Sequence, residues 1–102
     1  MLGFANRETG MNEVPNYPKR DLRRMLVVLA AIDTINDATL VKIARLTAID
    51  KKTVINLIEK ARTQAGVVIE KNESVYVIES WGPVIKRAGA RMALSGGLGM
   101  QE

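Results

Sequence analysis

The chain has 102 residues, 47% of them apolar, which is enough for one small domain with a core built mainly from aliphatic side chains. It carries a formal charge of +4 and contains neither Cys nor His, so disulfides, thiolate or imidazole metal sites and His-based catalytic pairs are excluded. The longest apolar run, residues 25–32, falls well short of the ~20 residues that a membrane-crossing helix needs.

Residues 1–17 mix Gly, Asn, Glu and Pro without periodicity and are expected to form a flexible arm. They lack the basic start and apolar centre of a secretion signal, so a cytoplasmic protein with no membrane partner is expected. Pro18 suits the first turn of a helix, where its missing N–H is not needed. The expected first helix spans 19–32, with Leu22, Met25, Leu26, Leu29 and Ala30 on one face. Its start gathers Lys19, Arg20, Arg23 and Arg24. Cations are disfavoured at the positive end of a helix dipole, so a nearby anion such as a phosphate would account for them. Solvated charge beside Asp21 is the plainer reading.

A break at 33–37 precedes a second helix, Leu40–Thr47, capped by Thr39 or Asp37 and burying Leu40, Ile43 and Ala44. After the turn 47–49, Asp50 caps a third helix that runs to about Gln64. In it Val54, Leu57, Ile58 and Ala61 form an apolar stripe. On the opposite side stand Lys52, Asn56, Glu59 and Thr63, flanked by Thr53 and Lys60. Gly66 suits a stop with positive φ. The period then changes to two. The runs VVIEK and SVYVIE read as an antiparallel hairpin turning at Asn72-Glu73, with Val67, Ile69, Val75 and Val77 on one face. Trp81 is expected to fold over the core. A short last helix is expected at 83–92, with a modest apolar stripe of Val84, Ile85, Ala88 and Met92. The Gly-rich tail, 94–102, is expected to be disordered.

The order helix, helix, turn, helix, hairpin over residues 18–81 resembles the winged helix-turn-helix family of DNA-binding domains, and ARLTAIDKKTVINLIE is similar to its core pattern. The basic first helix followed by TLVKIARLTAIDKKTVINLIEKA resembles the N-terminal reading heads of bacterial repressors. The resemblance implies an α+β, mainly α fold of three helices, a two-stranded hairpin and a short C-terminal helix over 18–93. Ala48 stands where the family usually has Gly in the turn.

By the family's logic the third helix enters the major groove of double-stranded DNA. Lys52, Thr53 and Asn56 are then the candidates for base contacts. Lys19, Arg20, Arg23, Arg24, Lys51, Lys60 and Lys71 are the candidates for phosphate contacts. The expected function is a small bacterial or phage transcriptional regulator acting as a homodimer, without cofactor, metal or catalytic residue. The alternative is a protein-interaction module or a subunit of a larger nucleoprotein assembly. The hairpin's Glu70, Glu73 and Glu79 favour a partner protein there.

Overall fold

The computed structural model describes residues 14–97. The chain forms four helices and one two-stranded antiparallel sheet, an α+β and mainly helical arrangement. Helix α1 covers Leu22–Thr34, α2 Leu40–Thr47 and α3 Lys51–Ala65. Strands β1 (Val68–Asn72) and β2 (Val75–Ser80) follow, and α4 covers Arg87–Ser95.

Helix α1 starts three residues later than its apolar spacing suggests. The Asp21 carboxylate accepts from the Arg23 N–H at 2.9 Å and takes the N-cap position. Residues 18–21 close a turn instead, with the Asp21 N–H donating to the Pro18 carbonyl at 3.1 Å and Arg20 at φ 70. Lys19 and Arg20 therefore precede the helix, and only Arg23 and Arg24 lie in its first turn.

The single apolar face expected for α1 is also corrected. Met25 and every residue from 27 to 32 are buried, whereas Leu22 is 62% exposed. A helix buried nearly all round needs cover on two sides. Helices α2 and α3 and the hairpin cover one side, and α4 covers the other. The α1–α4 contact is tight because α4 presents Ala90 and Ala93, both fully buried. Asp33, in the last turn of α1, accepts from Arg87 at 2.9 Å and from Arg91 at 3.0 Å.

Thr39 caps α2, and Asp50 caps α3. Between them Ala48 holds φ 60, ψ 28, the left-handed geometry in which alanine is strained. Ile43 is buried as expected, while Leu40 and Ala44 are half-buried. Thr47 is a buried polar residue that the apolar spacing did not single out. Its hydroxyl donates to the Ile43 carbonyl and accepts from the Ile49 N–H, so it is satisfied.

The hairpin turns at Glu73-Ser74, one residue later than expected, with Glu73 at φ 58. Ile69 pairs with Ile78, Glu70 with Val77 and Lys71 with Tyr76, after an irregularity at Val68/Ile69. Tyr76 and Ile78 thus pack on the core with Ile69, and the expected inward Val77 is exposed. The register is held from outside. The Tyr76 N–H donates to the Ala38 carbonyl at 2.8 Å, and Val75 bridges to Thr39.

Trp81 packs against the core as expected. Gly82-Pro83 does not begin the last helix. Gly82 has φ +76, and a Cβ there would lie 2.5 Å from the Gly66 carbonyl oxygen, so the chain crosses itself closely at this point. Residues 82–84 form a turn, and α4 begins at Arg87 and runs to Ser95, beyond the expected end. Of the expected arm, residues 1–13 lie outside the described residues. The Tyr17 hydroxyl donates to the Ala93 carbonyl at 2.7 Å, so the stretch just before α1 is tied across the end of α4. Of the expected tail, 98–102 likewise lie outside the described residues.

Candidate nucleic-acid interface

A groove of about 590 Å³ runs between the 18–21 turn and the outer side of α3. Lys19, Arg20 and Arg24 line it from the α1 end, and Thr53, Asn56 and Lys60 face them from α3. These six expected DNA-contacting residues come from segments about thirty positions apart and are brought together by the packing of α1 on α3. The 3.6-residue period of α3 explains its share, since positions 53, 56, 60 and 63 follow one side of the helix.

The remaining expected contacts lie apart from the groove lining. Lys51 and Lys52 are exposed in the first turn of α3 and do not line the groove. Lys71 is on the hairpin, with its ammonium 5.6 Å from the centre of the Tyr76 ring.

Arg23 is committed elsewhere. Its guanidinium binds Asp21 through Nε at 2.9 Å and Nη2 at 2.7 Å, and it lies 4.4 Å from the centre of the Tyr17 ring. The Arg23 side chain and then its backbone N–H pull the Asp21 carboxyl down to about 2. Arg24 is placed differently, in the groove rather than on Asp21. It is half-buried in the groove wall, and its Nε is buried without a hydrogen-bond partner, alone in this among the side-chain N and O atoms of the described residues. That N–H is closed off from the groove, so an anion held there would meet Arg24 through its charge and not through Nε.

Two acids also line the groove: Glu59, which the helix period had set on this face, and Asp50, which was expected only as a cap. Asp50 sits at its base because the cap of α3 is there. Its carboxylate is held below its ordinary range by the Thr53 hydroxyl, then the Thr53 N–H, with a smaller contribution from Arg24. Glu59 lies farther along and forms a loose ion pair with Arg62 at 3.8 Å. The helix period places Glu59 beside the lining residues, and its i, i+3 spacing to Arg62 is the sequence signal for that pair.

Among the described residues, no group of three or more acids could hold a metal ion. No described helix is long and apolar enough to cross a membrane. Neither protein-family models, nor curated proteins, nor solved structures give a match to the chain.

Proposed function

We propose that this chain is a sequence-specific double-stranded DNA-binding domain of the winged helix-turn-helix type, serving as a small transcriptional regulator and working as a homodimer. The observation that carries the reading is the single groove that joins Lys19, Arg20 and Arg24 to the Thr53, Asn56 and Lys60 side of α3. A phosphate backbone following the 18–21 turn would set the position of α3. Asn56, with Lys52 and Thr53 nearer the helix start, would then face base edges. The left-handed Ala48 supports the same reading, because the turn takes the geometry for which the family uses glycine.

Fluorescence anisotropy with a random-sequence duplex over a salt series tests the reading. With about four phosphates neutralised, log affinity should fall against log salt with a slope near −4. No duplex binding at low salt would end the proposal. Once a preferred sequence is selected, Lys52→Ala with Asn56→Ala should remove about 1–3 kcal/mol of discrimination per lost base contact and leave the fold intact.

A second reading, a protein-interaction module, draws on the outer face of the hairpin. There Val68 and Val77 are 48% and 38% exposed beside Glu70 and Glu79. Such a face repels phosphate and suits a protein surface.

A further inference from the structure

We propose that a second copy of this chain lays the acidic outer face of its hairpin over an apolar groove at the start of α1, and that the contact is reciprocal, giving a closed two-fold dimer. The groove, about 300 Å³, is lined by Leu22, Met25 and Leu26 of α1 and by Val84, Ile85 and Ala90. Leu22 and Val84 at its margin are 62% and 66% exposed, the most exposed large apolar side chains among the described residues. The groove lies on the far side of α1 from the candidate DNA face, since Leu22 and Arg24 are about 200° apart around the helix.

A second feature marks this surface. Gly89 lines the groove in the first turn of α4, and a Cβ there would meet nothing within 4 Å. Glycine favours a helix less than alanine does, and no neighbour among the described residues requires its small size. Close approach of another backbone would.

Charge selects the occupant. Lys86 lines the groove, and beside it Arg87 and Arg91 share the one carboxylate of Asp33, which leaves this end of α4 cationic. The outer hairpin face offers the complement, with Glu70 opposite Val77 and with Glu79 and Val68 on the same exposed side. Lys71 is directed to the other side, over Tyr76. An apolar surface with cations thus meets an apolar surface with carboxylates. The two adjoin on one molecule, because the last turn of α3 lines the groove and leads through Gly66 into β1. A self-complementary patch of this kind is what a two-fold contact requires. The dimer deepens the DNA reading, which calls for two heads, and its test is made without DNA.

Sedimentation equilibrium of the purified full chain at low salt should give a dimer. Glu70→Lys with Glu79→Lys makes the hairpin cationic, and Lys86→Glu makes the groove anionic. Each variant alone should weaken self-association by about tenfold or more, because like charges then face one another. An equimolar mixture should recover the dimer, since both of its contacts again pair opposite charges. Leu22→Glu, at an exposed position, should give a monomer with an unchanged circular dichroism spectrum.

A monomeric native chain overturns the interface, as does a hairpin variant that dimerises like the native chain or a mixture that stays monomeric. Asn56→Ala with Lys60→Ala should leave the dimer mass unchanged. A dimer that ignores duplex sinks the DNA reading alone, and a monomer with salt-sensitive duplex binding sinks the dimer and leaves the DNA face standing.

Discussion

Asp50 and Thr53 hold one another twice at the first turn of α3: the Thr53 N–H donates to one carboxylate oxygen at 3.0 Å, and the Thr53 hydroxyl to the other at 2.7 Å. The pair starts the helix and also places a negative charge at the base of the basic groove. Stability and anion binding therefore pull in opposite directions here. Asp50→Ala should lower the melting temperature through loss of the cap. The same change should strengthen binding to all duplexes by a few-fold, roughly what removing one nearby like charge gives. Thermal melting and anisotropy on the same sample check both signs. Weaker binding by protein that is still folded would contradict the placement of the groove.

Arg23 and Arg24 separate the two uses of a basic residue. Arg24→Ala should weaken binding to every sequence alike and reduce the salt slope by about 1. Arg23→Ala should leave the slope nearly unchanged, because its guanidinium is already held by Asp21 and Tyr17. An equal loss of slope in both variants would show that the ion pair opens on binding.

Two backbone positions should respond in opposite senses to a single methyl group. Ala48→Gly relieves a left-handed alanine and should raise stability by up to about 1 kcal/mol. Gly82→Ala adds a Cβ 2.5 Å from a backbone oxygen at positive φ and should cost roughly 2 kcal/mol or more. Urea unfolding with unchanged m-values reads both.

Acid should loosen the α1 region through its carboxylates. Asp21 titrates at about 2 in the folded chain against an ordinary 3.8. The stability it contributes is complete above about pH 4 and is lost as pH falls from there towards 2. Asp33 has the same sign. Burial alone would raise its carboxyl, but the hydrogen bonds from Arg87 and Arg91 outweigh that and lower it. Asp33→Asn should reduce the slope of stability against pH in this range, and acid titration of the melting temperature measures it. An unchanged slope would mean that Asp33 titrates alike in the folded and unfolded chain.

The elements set by local chemistry were legible in the sequence. Asp50 and Gly66 bracket α3 as a cap and a left-handed stop, and Thr39 does the same for the start of α2. The start of α1 was not: Pro18 suits a first turn, but it begins the 18–21 turn instead and leaves the cap to Asp21. The hairpin register was hidden for another reason. VYVI is apolar at every position, so a one-residue shift exchanges Val75 and Val77 for Tyr76 and Ile78 with little change in pattern. The choice is made by Ala38 and Thr39, nearly forty positions away. The groove was half legible. The helix period aligned Thr53, Asn56 and Lys60, but the different roles of Arg23 and Arg24 depend on where Tyr17 lies.

The burial of α1 on both sides bears on how this chain comes to be folded. Both of its covering layers follow it in the chain, with α4 ending some sixty positions after α1. During synthesis the greasy segment 25–32 must wait, unshielded, until α4 has left the ribosome. Folding should then occur as one late, concerted event, and a chain stopped short of Ala93 should be sticky rather than partly native.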